Sequence, residues 1–167
     1  MASNIKPQYA LIRSMQSYDL DVVHANEFLA YEFPWSRSIF ADCLRVGYPC
    51  RVIEVEDMVV GHAVTSIAAG EAHLLNICIQ PAYQGRGYGQ RLLLHCMRLA
   101  QQGGAEKMFL EVRPSNWAAI RLYQAQGFSV IGRRPDYYRR SDIDPLGNRQ
   151  HGREDALVMA KHFSEDN

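Results

Sequence analysis

The chain of 167 residues lacks a net charge and lacks any long apolar run. Its 18 Lys and Arg side chains are balanced by 18 Asp and Glu side chains, so the chain as a whole does not attract a polyanion such as nucleic acid. No stretch approaches the ~20 apolar residues that a membrane-spanning helix needs. The first residues, MASNIKPQYA, lack the apolar core of a signal peptide. We therefore expect a cytoplasmic protein that binds neither nucleic acid nor membrane.

The chain also lacks the cysteine spacing of a metal site or of a redox pair. Its four cysteines are Cys43, Cys50, Cys78 and Cys96, and no two of them form a CxxC pair. In a cytoplasmic protein such residues commonly pack as small apolar groups with reduced thiols. We therefore expect no metal ion and no redox centre.

What is present is an alternation of strand-like and helix-like segments. The length and the 47% hydrophobic content suit one domain over residues 1–167. Apolar periodicity predicts a mixed α/β (α+β) fold of about seven strands and four helices. The predicted strands are Tyr9–Arg13, Cys50–Val55, Val59–Ala68, His73–Ile79, Met108–Val112, Ser129–Arg134 and Ala156–Ala160. The predicted helices are Leu20–Phe28, Arg37–Val46, Gly87–Gln101 and Ala118–Gln126.

Residues with strong local preferences mark several ends of these elements. Asp19 and Ser36 are of the types that cap helix N-termini, so we expect them to start the first two helices. Glu56 and Asp57 are predicted to form a hairpin turn. Residues 142–152 are polar and contain Pro and Gly, which predicts a loop between the last two strands.

The strongest chemical signal lies between a predicted buried strand and a long helix. The segment reads Gln80-Pro81-Ala82-Tyr83-Gln84-Gly85-Arg86-Gly87-Tyr88-Gly89. Glycines allow backbone N–H groups to point toward one spot, and a helix N-terminus adds unpaired N–H groups and the positive end of its dipole. This arrangement predicts a pyrophosphate cradle. An ordinary tight turn is the alternative, since the spacing matches neither a GxGxxG loop nor a P-loop.

Two motifs in and before this segment resemble the acetyl-CoA signature of the GCN5-related N-acetyltransferases, the GNAT superfamily. They are Gln84-x-x-Gly87-x-Gly89 and Asn76-Ile77-Cys78-Ile79-x-Pro81. Four further segments resemble the bacterial ribosomal-protein-alanine N-acetyltransferases within that superfamily. They are Phe33–Ser36, Leu110–Asn116, Ala119–Phe128 and Arg153–Met159, so the resemblance covers most of the chain.

The resemblance implies a GNAT fold whose central strands splay apart at the acetyl-CoA site. It implies acetyl-CoA as co-substrate, with the pantetheine arm along the strand before the glycine turn and the pyrophosphate at the turn itself. The residues implied to bind the coenzyme are Ile77, Cys78, Ile79, Gly85, Arg86, Gly87, Tyr88, Gly89, Gln90 and Asn116.

An acid and a base are also implied. Glu111 lies in the apolar run Met108–Val112, where a carboxylate is costly unless it is paired or functional. A structural salt bridge is the alternative for Glu111, and ring packing alone is the alternative for Tyr123. The resemblance implies Glu111 as proton acceptor and Tyr123 as proton donor in direct transfer through a ternary complex. The competing mechanism is a covalent acetyl-cysteine route through Cys78.

The implied acceptor is the N-terminal alanine of the eighteenth small-subunit ribosomal protein. The residues predicted to form its walls are Tyr31, Glu32, Trp35, Tyr137 and Tyr138. The alternatives are a small amine, a lysine side chain, or a coenzyme-binding module without catalysis. The segment from Arg139 to Gly152 is longer than is usual for the family, which favours a solvated loop and leaves open a lid or partner contact that alters acceptor choice.

Overall fold

The computed structural model describes residues 9–164, and in them one seven-stranded sheet has the order β1-β2-β3-β4-β5-β7-β6. Its strands are β1 Ala10–Ser14, β2 Cys50–Val55, β3 Met58–Ala68, β4 Glu71–Ile79, β5 Lys107–Val112, β6 Ser129–Ile143 and β7 Arg149–His162. The helices are α1 Leu20–Ala30, α2 Arg37–Val46, α3 Tyr88–Gln102 and α4 Trp117–Ala125. Within residues 9–164 no helix combines the length and the apolar character that a membrane span requires.

The predicted helix and strand ends are largely confirmed. The Ser36 hydroxyl accepts a hydrogen bond from the backbone N–H of Ile39 at 3.3 Å and so caps α2. Glu56 and Asp57 both have positive φ, 51° and 66°, in the turn between β2 and β3. Asp19 occupies the predicted N-cap position of α1, but its side chain makes no cap hydrogen bond, because the carboxylate is held by the Arg13 guanidinium at 2.7 Å. The expectation that there is no signal peptide rests on the first ten residues. Residues 1–8 of these lie outside the described residues.

The two faces of the sheet are covered by different helices. Val52 and Ile53 are neighbours on β2, and they belong to different apolar clusters because successive strand side chains point to opposite faces. One cluster contains Leu93, Met97 and Ala100 of α3 together with Tyr123 of α4. The other contains Phe40 of α2 and residues of α1. The sheet therefore lies between α3 and α4 on one side and α1 and α2 on the other.

The sheet opens at its centre. The parallel pairing of β4 with β5 is short: Glu71–Leu74 of β4 pair with Lys107–Leu110 of β5. Beyond that point both strands continue without pairing to each other. The register of β3 against β4 also shifts there, since Val64 faces Asn76 whereas Thr65 faces Leu74, so Leu75 is an extra residue in a bulge. The expected splay of the central strands is confirmed.

The loop predicted for residues 142–152 is wrong. β6 and β7 continue past the core as a two-stranded ribbon, paired from Tyr138 with Glu154 to Ile143 with Arg149. We call residues 138–154 the distal ribbon. Asp144 closes it, because its carboxylate accepts from the backbone N–H groups of Leu146 and Asn148 at 2.9 and 2.8 Å. The ribbon lies away from the core, so its side chains need no apolar alternation, and that alternation was the signal sought in the sequence.

Candidate active site

A cavity of about 1490 Å³ lies where β4 and β5 part. Its walls come from these two strands, the loop between α1 and α2, the start of α4 and the distal ribbon. Nine of the residues selected from the sequence line it: Tyr31, Glu32, Trp35, Ile77, Glu111, Asn116, Tyr123, Tyr137 and Tyr138. The fold therefore brings the proposed acid, base and acceptor walls into one space.

Glu111 reaches this space from β5, and its side chain is 14% exposed. Its carboxylate Oε1 lies 3.3 Å from Nε of Arg134 on β6, whose side chain is 55% exposed. The salt bridge that was the structural alternative for Glu111 is therefore present. It does not remove Glu111 from the cavity, so the carboxylate is placed for both roles.

Tyr123 is buried at 5% exposure on α4. Its ring packs edge-on against Phe128 with 6.0 Å between ring centroids, which confirms the packing role. Burial, with a smaller contribution from Tyr138, raises the pKa of the Tyr123 phenol. The hydroxyl therefore keeps its proton at neutral pH, as a proton donor must.

The last residues of β4, up to Ile79, present backbone groups to the space where β4 and β5 no longer pair. The N–H of Gln80 donates to Val60 on β3 at 2.7 Å. Because an antiparallel ladder uses alternate residues on each side, Ile77 and Ile79 point their N–H and C=O groups away from β3. The carbonyl of Ile77 accepts from the Tyr31 hydroxyl, and that of Ile79 accepts from Gln84 Nε2. These two carbonyls are thus already bonded within the protein, so the N–H groups of Ile77 and Ile79 are the groups that the coenzyme arm is expected to use.

The glycine turn follows β4 and leads into α3. Gly85 and Gly87 have φ of 76° and 85°, and a Cβ added at either would meet nothing within 4 Å. Among residues 9–164, the N–H groups of Gly85, Gly87 and Gly89 donate to no backbone carbonyl. The turn thus combines N–H groups that lack a backbone acceptor with a helix N-terminus, which fits a diphosphate. Arg86 is held beside it, since its guanidinium donates to the Ala82 carbonyl at 3.2 Å.

One face of the cavity is built by the α1–α2 loop. Tyr31 is 38% exposed, and desolvation of its hydroxyl, which donates to the Ile77 carbonyl, raises its pKa well above the usual value. Trp35 stacks at a tilt on Phe40 with ring centroids 5.3 Å apart. Glu32 is exposed at the mouth of the cavity. All three residues line the cavity.

The opposite face is built by β6 and β7. Tyr137 and Tyr138 meet edge to face at 4.9 Å, and the Arg113 guanidinium lies 4.4 Å above the Tyr138 ring. Arg113 is itself 3.5 Å from the Glu154 carboxylate, which also accepts from the Ser115 hydroxyl at 2.7 Å. Burial raises the pKa of Tyr138. Asn116 follows Ser115, and its side-chain oxygen accepts from the backbone N–H of Ala119 and so caps α4.

Cys78 does not face the cavity. It is 2% exposed, and its thiol donates to the Asn26 carbonyl at 3.7 Å. Burial raises the pKa of this thiol far above its usual value. The acetyl-cysteine route requires an exposed thiolate, and Cys78 supplies neither the exposure nor the charge.

Sequence reasoning missed a buried polar cluster beneath the cavity. A carboxylate oxygen of Glu27, a ring nitrogen of His62 and the Sγ of Cys78 lie within 4.8 Å of one another, although no two of these residues are close in sequence. Glu27 follows Leu20 and Val23 on the buried face of α1, so helical spacing would have placed its carboxylate in the core. Glu27 and His62 hydrogen bond to each other at 3.1 Å.

Comparison with known proteins agrees with this geometry. The family model described as the Acetyltransferase (GNAT) family matches residues 15–128. The ribosomal protein bS18-alanine N-acetyltransferase of Escherichia coli K12 is 36% identical over 153 residues, which are 92% of this chain and 97% of that protein. The crystal structure of the ribosomal-protein-S18-alanine N-acetyltransferase from Escherichia coli has a TM-score of 0.84 at 34% identity, covering 95% of this chain and 97% of that one.

A more distant structure shares the fold. Arabidopsis thaliana Naa50 in complex with the bisubstrate analogue CoA-Ac-MVNAL has a TM-score of 0.75 at 19% identity, covering 92% of this chain and 99% of that one. The splayed sheet, the glycine turn, the matched family model and the close relatives agree with one another. The chain belongs to the acetyltransferase (GNAT) family.

Proposed function

We propose that this protein transfers an acetyl group from acetyl-CoA to the N-terminal α-amino group of a protein, and that the acceptor is the N-terminal alanine of ribosomal protein bS18. The observation that carries the proposal is the cavity that Glu111 and Tyr123 line beside the splayed end of β4. The relatives named above act on that ribosomal protein by name, and they match this chain over nearly its whole length.

The coenzyme would be held by the end of β4 and the glycine turn. The backbone N–H groups of Ile77 and Ile79 point away from β3, and the turn offers the N–H groups of Gly85, Gly87 and Gly89 to a diphosphate. Cys78 lies between them, with its thiol toward the core and its backbone groups toward β3, so it would contact the arm least. Asn116 lines the same cavity as Ile77 and would also contact the coenzyme. Solved relatives of the same fold contain coenzyme A groups, which supports this use of the fold.

Acetyl-CoA supplies the acyl group as a thioester, and the chain moves the protons. An α-amino group has an unperturbed pKa of about 8, so most of it is charged at neutral pH and must lose a proton before it attacks. Glu111 takes that proton, directly or through water. Tyr123 gives its proton to the sulfur that leaves. As the C–N bond forms and the thioester C–S bond breaks, the nitrogen loses a second proton, which restores the one that Tyr123 gave to sulfur. The proton held by Glu111 passes to water, so one proton is released in each cycle.

The acceptor peptide would enter between the α1–α2 loop and the distal ribbon. Tyr31, Glu32 and Trp35 form one wall, and Tyr137 with Tyr138 forms the other. The ribbon extends the second wall beyond the site of chemistry. Residues that follow the N-terminal alanine would therefore contact the ribbon, which makes the ribbon a determinant of acceptor choice.

The same proposal covers where the protein lies in the cell and how much of the chain forms the domain. A ribosomal protein acceptor places the reaction in the cytoplasm, and we propose that location for this chain. We also propose that residues 1–167 form one acetyltransferase domain.

Release of free coenzyme thiol in the presence of acetyl-CoA tests the function. The acceptors to compare are a peptide that begins with the alanine of bS18, the same peptide with a blocked α-amine, and a small primary amine. We expect turnover with the free peptide alone. Equal turnover with the blocked peptide would favour lysine acetylation, and preference for the small amine would favour a small-molecule enzyme. Coenzyme binding without turnover on any acceptor would favour a non-catalytic module.

A further inference from the structure

We infer that Glu27 is a positioning residue of the proposed site, whose buried carboxylate fixes the acceptor wall against the coenzyme strand. The inference rests on the proposed function, since it concerns the same site. Glu27 lies near the end of α1 and is 1% exposed. A carboxylate buried to this degree is costly unless hydrogen bonds satisfy it, so its partners indicate what it does.

Three different elements hold the Glu27 carboxylate. The backbone N–H of Trp35 donates to Oε2 at 3.0 Å. The side-chain amide of Asn76 donates to both oxygens, at 3.2 and 3.1 Å. Nε2 of His62 on β3 lies 3.1 Å from Oε1. Among the described residues no Lys or Arg pairs with Glu27, so the carboxylate serves as a multiple hydrogen-bond acceptor.

The partners belong to the two halves of the proposed site. Trp35 is in the α1–α2 loop, which forms the acceptor wall. Asn76 follows the bulge at Leu75 and precedes Ile77, at the point where β4 separates from β5. The bond from the Tyr31 hydroxyl to Ile77 ties the same loop to the same strand a second time. Glu27 therefore sets the spacing between the incoming amine and the thioester.

The hydrogen-bond pattern predicts which replacements of Glu27 are tolerated. Nδ1 of His62 is buried without a hydrogen-bond partner, so the ring can change which nitrogen carries the proton. In Glu27→Gln the amide NH₂ would donate to Nε2 of His62, and the amide oxygen would still accept from Trp35 and Asn76. Only the second bond from Asn76, to Oε1, would be lost. Glu27→Met keeps a similar length but offers no acceptor, so all three elements lose their common partner.

The experiment measures kcat and both KM values for these two variants, and calorimetric affinity for coenzyme A. We expect Glu27→Gln to stay close to the wild type. We expect Glu27→Met to lose roughly 10- to 100-fold in kcat/KM, with both KM values raised, since a misplacement of about 1 Å has effects of that size. Glu71→Met, at the exposed start of β4, is the matched control and should behave as the wild type.

A purely structural role would lower the amount of folded enzyme without moving either KM. Wild-type KM values in Glu27→Met would therefore overturn the inference. A loss in Glu27→Gln as large as that in Glu27→Met would also overturn it, because charge or proton transfer would then be the property that matters. If Glu27→Met does not fold, Asn76→Ala tests the same link from β4, and an unchanged coenzyme KM would contradict the inference.

The failure of the proposed function would look different. The wild type would then show no peptide turnover at all. Coenzyme affinity would still decide the inference, since weaker binding in Glu27→Met than in Glu71→Met supports it and equal binding opposes it.

Discussion

Nε of Arg134 lies 3.3 Å from Oε1 of Glu111, so the carboxylate proposed as proton acceptor has a cation beside it. The Arg134 side chain is more than half exposed, and ion pairs with such partners typically contribute only ~0–1 kcal/mol to stability. The pair therefore explains little of why a carboxylate occupies β5. Mutation of each partner separates the structural role of Glu111 from the chemical one.

Glu111→Gln should lower kcat by roughly 10²–10⁴, the usual range for a positioned acid or base. Arg134→Gln breaks the same ion pair but leaves the carboxylate, so it should keep most of the activity. Steady-state rates at saturating acetyl-CoA compare the two variants. Equal losses in both would show that the ion pair, and not proton transfer, is what the enzyme needs from Glu111.

Tyr123→Phe should also lower kcat by roughly 10²–10⁴, and it should leave the stability of the fold nearly unchanged. The ring packs on Phe128 in the enzyme, and a phenylalanine ring can keep that contact. Thermal unfolding and turnover, measured on the same samples, give both quantities. A variant that turns over at the wild-type rate would remove Tyr123 from the mechanism.

The pH dependence of kcat gives a second view of Tyr123. Burial disfavours the phenolate, so the pKa of Tyr123 lies above its ordinary value of 10.0 and the donor stays protonated as pH rises toward that value. We therefore expect no loss of kcat from Tyr123 ionisation below pH 10. An alkaline decline of kcat with a midpoint near 9, absent from the residual activity of Tyr123→Phe, would contradict this assignment.

Gly87→Ala should weaken coenzyme binding. Gly87 has φ of 85°, where an alanine costs roughly 1–2 kcal/mol, and it stands at the start of α3. Gly147→Ala is the matched control, because Gly147 has φ of 82° and equally open surroundings at the tip of the distal ribbon. Both variants should lose similar stability, whereas calorimetry should show weaker coenzyme affinity in Gly87→Ala alone. Unchanged affinity in both would contradict a phosphate site at the turn.

Cys78→Ala should remain active. The thiol is buried, protonated and bonded to the Asn26 carbonyl, so it is no nucleophile. The substitution removes one buried sulfur and should lower the melting temperature modestly. Loss of turnover comparable to that of Glu111→Gln, with the fold intact by circular dichroism, would revive the covalent route.

Sequence reasoning succeeded where the signal is local. The Ser36 cap, the turn at Glu56 and Asp57 and the glycine turn each depend on residues a few positions apart, so short-range preferences were enough to find them. The N-cap position of Asp19 was also found, but its cap hydrogen bond is absent because a guanidinium six residues away binds the same carboxylate. Cap preferences say nothing about such competitors.

Longer-range features were beyond the same reasoning. The partners of Glu27 lie 8, 35 and 49 residues away, and only the folded sheet brings them together. The distal ribbon was missed for a different reason, since it leaves the core and so carries no apolar alternation to mark its strands. The position of Arg134 beside Glu111 depends on the pairing of β6 with β7, which the sequence does not state.

The most direct test of the account is tandem mass spectrometry of ribosomal protein bS18 with a free N-terminal alanine, after incubation with acetyl-CoA and this protein. The account predicts one acetyl group, located on the α-amino nitrogen of that alanine, and little or none when Glu111→Gln replaces the wild type. An unmodified N-terminus after incubation with the wild type, or acetyl groups on lysine side chains alone, would contradict it.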